Sequence, residues 1–522
     1  MGPDEPRYAW IARDMMETGD WVTPRLYGKP WFEKPPLYYW GAALSFKLFG
    51  VSEAAARLPS AVSALLATLA IAWLALRLYG AETARWLLVL LPSTVGMIGF
   101  SHAAATDMPF SAMLTLAMVA AAVILGLIPT PGIDSRTPNK ASDASSSVIS
   151  FISPTSFASF LFGFFLGLAV LAKGPAAIIL CGGAVFFCAL FTKRWRHAFR
   201  LIHLTPIAAF CLTALPWYIL CARRNPEFLR VFIIEHNFKR YVTTEFQHVQ
   251  PFWYFGAIIL LAVLPWTAVF LWSLILGLRR LRSGKLGPPI VFLLSWSAFC
   301  IAFFTISKSK LPGYILPAIP PIGLILARAC TFLGPVKRWS FALSCLASGA
   351  LFAGIFVALS RNADRILTNL VAFTPLFGLV LLLLTVANLF LGLLFLFRHR
   401  SAALAASVLP FFAGFPIFDI LSPHTPLSIV SPAYIAYQIH AQQIPPPSLR
   451  VTRLNPSTLY GLNFYLRTDL QKWDRDSSRE VYVLADGELP CSRMPQDMNC
   501  SDLWGWIEKN DKFELLHLTP NH

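Results

Sequence analysis

About twelve stretches of roughly 20 mostly apolar residues run through this chain, each long enough to cross a bilayer as a helix. They lie near residues 54–76, 83–100, 107–128, 154–171, 174–192, 199–221, 251–277, 288–306, 312–330, 338–358, 371–397 and 402–421. In hydrocarbon every backbone N–H and C=O must be satisfied internally, so only helices and closed barrels can span. These runs are too long for barrel strands and do not alternate. The sequence therefore predicts an all-α polytopic membrane protein. Composition agrees: of 522 residues, 56% are hydrophobic and 13% charged, about half the charge of a soluble domain. Disordered, collagen-like and secreted disulfide-scaffold classes are excluded on the same grounds.

The net charge of +16 is a topology signal, and no nucleic-acid partner is expected from it. Loops carrying Arg77/Arg85, Arg136/Lys140, Lys193–Arg200, Arg279–Lys285, Arg328–Arg338 and Arg398/Arg400 fall on one side and hold 17 Lys and Arg; the short loops opposite hold 10. The positive-inside rule assigns the first set to the cytoplasm. Residues 1–53 and the tail from 423 then lie outside. Residues 1–53 contain no apolar run, and a mixed-charge segment cannot cross unaided, so a first transmembrane helix is expected to be missing, through truncation or a miscalled start.

Three regions follow. Residues 1–53 form a first extracytoplasmic loop with amphipathic surface helices. Residues 54–422 form the transmembrane part, with 129–153, rich in Ser, Pro and Thr, as a flexible cytoplasmic loop. Residues 423–522 form a small outer α/β domain, with strand-like runs at Glu480–Ala485 and Phe513–Leu518. Seven of the nine cysteines lie in or beside apolar runs and read as packing residues. Cys491 and Cys500 lie in the outer domain, where an oxidising compartment would allow a disulfide between them.

Costly polar residues near the outer membrane face point to chemistry. In Asp4-Glu5-Pro6-Arg7-Tyr8 a carboxylate opens a helix whose apolar residues Tyr8, Ile11, Ala12 and Met15 follow at helical spacing. Asp4 or Glu5 caps that helix, serves catalysis, or does both. In Trp31-Phe32-Glu33-Lys34-Pro35-Pro36 the paired prolines stiffen the backbone; Glu33 and Lys34 form an interfacial ion pair or act as metal or phosphate ligands. Asp107, at an outer helix start, either complements the helix dipole or is a second active-site carboxylate. In Glu235-His236-Asn237-Phe238-Lys239-Arg240-Tyr241, an α-helix would align His236 with Arg240, a pairing suited to phosphate. Lys308, Lys310 and Tyr314 crowd one very short outer loop, against the charge rule, and Lys173 stands at another outer turn. Anionic headgroups or a phosphorylated ligand explain such a loop. Together these groups predict a lipid-linked phosphate as ligand and group transfer from it.

These segments resemble a known family. The stretch DEPRYAWIARDMMETGDWVTPRLYGKPWFEKPPLYYW (Asp4–Trp40), SKLPGYILP (Ser309–Pro317) and EHNFKRY with PFWYF (Glu235–Tyr241, Pro251–Phe255) are similar to motifs of the lipid A aminoarabinose (4-amino-4-deoxy-L-arabinose) transferases. Those are GT-C glycosyltransferases related to protein O-mannosyltransferases. The resemblance implies a GT-C-type fold with thirteen transmembrane helices, surface helices in the first outer loop and a periplasmic C-terminal domain. It implies an inner-membrane enzyme using an undecaprenyl-phosphate-linked sugar and no nucleotide, acting with inversion on lipid A or a related envelope glycolipid. By motif, Asp4 matches the catalytic acid, and Glu33 and His236 match positions proposed to hold a divalent metal, zinc in family members. Lys34, Arg240 and Tyr314 match groups around the lipid phosphate, with Arg7 and Tyr8 in the same pocket motif. Trp31 stands where the family often has Tyr. Two alternatives stay open: the same chemistry on a protein hydroxyl or another glycan, and a lipid or sugar transporter. Glu5 and Asp107 are the carboxylates available to an aminosugar's ammonium.

Overall fold

The structure is a computed structural model. It describes residues 4–128, 154–331 and 432–520, apart from breaks at 240, 242–248, 265, 285, 475–479, 488–490, 492–497 and 506–512, with isolated positions between 332 and 431. The 129–153 loop, most of the expected spans near 338–358, 371–397 and 402–421, and Arg240 lie outside the described residues. The chain divides into two compact units. One holds Ala12–Arg25 and Lys29–Cys345; the other holds Met1–Ile11, Leu26–Gly28 and Leu346–His522.

Helix α1 (Glu5–Thr18) buries Tyr8, Ile11, Ala12 and Met15, the face its spacing predicts. It ends at Gly19, whose φ of +70° and N–H bond to the Met15 carbonyl stop the helix. A two-residue ladder, β1 (Arg25–Leu26) and β2 (Lys29–Pro30), precedes α2 (Leu37–Phe49). The Tyr38 hydroxyl of α2 donates to the Ala56 carbonyl at 2.9 Å, tying α2 to α3 (Glu53–Tyr79), which Ser52 caps.

Six helices among the described residues are long and apolar enough to span: Glu53–Tyr79, Asp107–Ile124, Thr155–Lys173, Trp195–Arg224, Pro288–Ile306 and Pro312–Thr331. The run expected near 83–100 is not one straight helix. It is α4 (Ala81–Leu90) and α5 (Val95–Ser101), bent by 63°. Pro92 interrupts the hydrogen-bond ladder, and the Thr94 hydroxyl restarts it by accepting from the Met97 N–H. The run expected at 251–277 breaks likewise, between Tyr254–Ala262 and Thr267–Arg282. The two breaks interlock. The Trp266 indole donates to the Ser93 hydroxyl at 2.9 Å, and the Val95 N–H donates to the Leu264 carbonyl at 2.9 Å. Gly96 admits this approach, because a Cβ there would stand 3.1 Å from that of Ala262. Each break thus satisfies polar groups that hydrocarbon would not.

Among the six described spans, α6 (Asp107–Ile124) is the most enclosed; it packs on α3 and α7 (Pro154–Lys173). Close packing of α7 on the Leu204–Arg224 helix rests on Gly163 and Gly167, where a Cβ would strike Pro206 backbone and the Thr213 side chain. The six described cysteines of the spans are unbridged, and all but Cys211 are buried.

In the other unit a five-stranded sheet has the order β4-β3-β5-β7-β6, with β3 (Leu449–Thr452) parallel to β4 (Gln471–Lys472) and β5 (Val481–Asp486). Strand β7 (Phe513–Pro520) lies antiparallel between β5 and β6 (Met498–Gly505). The two strand-like runs of the sequence thus become adjacent strands. Alternation splits them between two faces. Leu484, Phe513 and Leu515 join the helices Pro432–Ala441 and Pro456–Leu466 in one core; Val483, Leu516 and Leu518 face the other, which the Cys491–Cys500 disulfide covers.

Candidate active site

In the unit that holds the chain's first residues, the Asp4 carbonyl accepts the Tyr8 N–H at 3.4 Å, so Asp4 occupies the capping position of α1. Its carboxylate is exposed and pairs with the Arg7 guanidinium at 3.1 Å. That guanidinium lies over the rings of Tyr8, at 5.2 Å, and Tyr460, at 5.8 Å. Glu5 is buried. Tyr27 stacks on Tyr460 with ring centres 6.2 Å apart, and burial pushes its hydroxyl pKa well above the usual range. Asp4, Arg7 and Tyr8 therefore form one charged and aromatic group, with an acid, a fixed cation and a hydroxyl.

In the other unit, residues 20–25 are clamped onto the end of the Leu204–Arg224 helix. The Trp217 indole donates to the Val22 carbonyl at 2.9 Å, the Asn225 amide donates to the Thr23 hydroxyl at 3.0 Å, and Arg224 pairs with Asp20 at 3.0 Å. Burial alone would raise the Asp20 carboxyl, but bonds from the Val22 and Thr23 N–H groups and from Arg25, with the nearby Arg224 charge, outweigh it and hold the carboxyl below its usual range. Phe32 packs edge-on against Phe228, 5.3 Å away, within a cluster that includes Trp217 and Phe232. This anchoring presents Glu33 and Lys34. Their side chains are 11% and 14% exposed and lie 3.6 Å apart, so the ion pair allowed by the sequence does form.

Opposite them runs Arg230–Lys239, which is π-helical and not the α-helix that the His236/Arg240 spacing assumed. Its wider i→i+5 turn is a form that recurs at functional sites. Glu33 and His236, about 200 residues apart, line one cavity of about 480 Å³ with Trp31, Arg224, Asn225 and Glu227. Among the described residues no three His, Cys, Asp or Glu side chains converge as a metal-binding group. A carboxylate and an imidazole lining one cavity are donor types that zinc accepts.

The short loop after the Pro288–Ile306 helix is held by backbone pairing. Ser309 bridges to Val249, and the Lys308 N–H donates to the Tyr241 carbonyl at 3.0 Å. Lys308 keeps an exposed side chain. Lys310 is buried and donates to the Gln250 carbonyl at 3.0 Å. Asp107, Lys173 and Tyr314, singled out separately in the sequence, meet here. The Lys173 ammonium is 2.5 Å from the Asp107 carboxylate and 4.8 Å from the Tyr314 ring centre. Gly313 packs directly on Asp107, where a Cβ would collide with the carboxylate. Lys173 shows in the sequence only as a cation ending an apolar run. Trp217 and Asn225, which fix the Glu33 loop, carry no local signal at all.

Comparison with known proteins agrees with the motifs. The family signature of the dolichyl-phosphate-mannose-protein mannosyltransferases matches residues 1–232. An undecaprenyl phosphate-alpha-4-amino-4-deoxy-L-arabinose arabinosyl transferase of Yersinia pestis (strain Pestoides F) is 33% identical over 332 residues, covering 63% of this chain and 55% of that protein. Its counterpart in Enterobacter sp. (strain 638) is 32% identical over 338 residues, 64% of this chain and 56% of that protein. The chain thus spans about half the length of the curated relatives it matches. The crystal structure of ArnT from Cupriavidus metallidurans bound to undecaprenyl phosphate superposes with a TM-score of 0.78 at 22% identity, over 99% of this chain and 93% of that one. Its apo form gives 0.76 at 23% identity, with the same coverage. The chain therefore shares the fold of these ArnT structures.

Proposed function

We propose that the chain is a multi-pass inner-membrane glycosyltransferase with its site and sheet-bearing region on the periplasmic side. It moves a sugar from undecaprenyl phosphate to lipid A or a related envelope glycolipid. The observation that carries this reading is the gathering of Glu33, with its partner Lys34, and His236 about one cavity. The similarity to proteins named as arabinosyl transferases supports it.

In this reading the bond between the anomeric carbon and the phosphate oxygen breaks, and polyprenyl phosphate leaves with the electron pair. Lys34, Arg240 and Lys308 stabilise that charge, with the Tyr314 hydroxyl as a further donor. Lys310, bound to the Gln250 carbonyl, adds positive potential and holds the loop. Glu33 and His236 would hold a divalent metal, which would act as a Lewis acid toward a phosphate oxygen. A hydroxyl acceptor needs Asp4 as base. A phosphate acceptor is already ionised, and Asp4 then orients it or balances charge growing on the sugar. Attack from the side opposite the leaving phosphate inverts the anomeric centre. Glu5 remains the carboxylate for an aminosugar's ammonium, whereas Asp107 is already neutralised by Lys173, which supports a clamping role.

The test is transfer from undecaprenyl-phosphate-linked aminoarabinose to lipid A by the reconstituted chain, read by mass spectrometry of the lipid. The expected result is one added pentosamine, with Asp4→Asn slowed by about 100-fold or more. Full transfer by Asp4→Asn removes its catalytic role. The mannosyltransferase match favours a second reading, the same donor chemistry on a protein hydroxyl. Modification of a Ser/Thr peptide but not of lipid A in parallel reactions would select it.

A further inference from the structure

A second cavity of about 440 Å³ lies away from the site described above, between the helices Thr267–Arg282, Pro288–Ile306 and Ile319–Thr331. Its walls are apolar along most of their length, with Phe270, Leu274, Leu294 and Ile322 among them. One end is polar and is formed by Tyr79 and Arg328. The Arg328 guanidinium lies 4.7 Å from the Tyr79 ring centre and donates to the Thr331 hydroxyl at 3.3 Å. The Tyr79 hydroxyl is buried and has no hydrogen-bond partner among the described residues. A phenol held dry without a partner is costly unless a ligand supplies one.

This polar end is the end of the helices opposite the 307–314 loop. The Lys and Arg distribution assigns it to the cytoplasmic face. Arg279 and Arg282, both exposed, follow on the adjoining helix. An apolar slot that ends in a guanidinium, a phenolic hydroxyl and further cations matches an anionic lipid, chain in the slot and phosphate at its mouth. Basic pockets between membrane helices on that face bind anionic headgroups.

We infer that this slot is a binding site for an anionic phospholipid of the cytoplasmic leaflet, whose phosphate accepts from Tyr79 and Arg328. It is separate from the donor-phosphate site proposed above and does not depend on the chain's activity.

The test is native mass spectrometry of the full chain in detergent, titrated with phosphatidylglycerol, phosphatidylcholine and undecaprenyl phosphate. Wild type should retain phosphatidylglycerol in preference to phosphatidylcholine. Tyr79→Phe keeps the ring over Arg328 and removes only the hydroxyl, and Arg328→Gln removes the charge. Each should weaken phosphatidylglycerol by about tenfold, the loss of one phosphate hydrogen bond, and leave undecaprenyl phosphate unchanged. Ala298→Trp, which fills the slot without touching either polar group, should abolish the retained phosphatidylglycerol. Equal retention of the two phospholipids, or unchanged retention in all three variants, overturns the inference. So does selective loss of undecaprenyl phosphate, which would make the slot the far end of the donor site.

Discussion

Lys173 and Asp107 stand 66 residues apart in sequence and 2.5 Å apart in space, with the Lys173 ammonium also over the Tyr314 ring. The pair joins the end of α7 to the start of α6 and braces the loop that carries Lys308 and Lys310. Both side chains are largely buried, at 11% and 22% exposure, so removing one leaves the other's charge poorly solvated. Asp107→Asn and Lys173→Met should each destabilise the chain by about 3 kcal/mol, and the double variant by less than the sum. Thermal unfolding in detergent reads the cycle; additive losses would mean that the two charges do not couple.

Gly313→Ala tests the same contact from the loop side. The added methyl meets the Asp107 carboxylate and should cost about 1–3 kcal/mol. The Gly313→Ala/Asp107→Ala double variant should lose less than the sum of the two single losses. Additive losses would place the strain elsewhere.

Metal content checks the proposed ligands. Glu33→Gln with His236→Ala should lower bound zinc, measured by plasma mass spectrometry on purified chain, from near stoichiometric to background. Equal zinc in wild type and variant would dismiss both residues as ligands.

Two carboxylates within residues 1–53 should titrate with opposite sign. Burial chiefly holds Asp14 above its usual range, and its Oδ2 is buried without a hydrogen-bond partner among the described residues. Its contribution to stability is full at low pH and is lost as pH rises through the folded value. Asp14→Asn should therefore raise the melting temperature at pH 7. Asp20 is held below 3.8, so it stabilises above about pH 4 and that stability is lost as pH falls. Asp20→Asn should lower the melting temperature at pH 7 and flatten the acid limb. Melting curves from pH 3 to 8 decide both signs.

The Cys491–Cys500 bridge closes a short loop, with a sequence separation of 9. Replacing both cysteines by Ser should cost the sheet region about 2–3 kcal/mol. Reductant should mimic the variant in limited proteolysis of the full chain. A protease pattern indifferent to both would show that the other strand contacts suffice.

The membrane class, the α1 face and the β5/β7 pair were legible because each rests on a periodicity that local sequence carries. Tyr8, Ile11, Ala12 and Met15 are buried as their spacing requires, and Val483 and Leu484 fall on opposite faces of the sheet. The candidate residues Asp4, Glu33, Lys34, His236 and Tyr314 stand out in the sequence as residue types within motifs. Their wiring does not. The π-helical turn that carries His236 uses residues that an α-helix would also accept, and Lys173 gives no sign in its own segment of which carboxylate it meets.

What the sequence determined by itself is the solvent this chain needs and the types of polar residue it offers for chemistry. The reason is that hydrophobic transfer and charge desolvation act residue by residue and leave their record in composition and spacing. Tertiary structure alone decided that two broken helices interlock through Ser93 and Trp266, that Glu33 and His236 share a cavity, and that Tyr79 and Arg328 close an apolar slot. Those are relations between distant segments, chosen by packing and by the need of each buried polar group for a partner, and no local pattern encodes them.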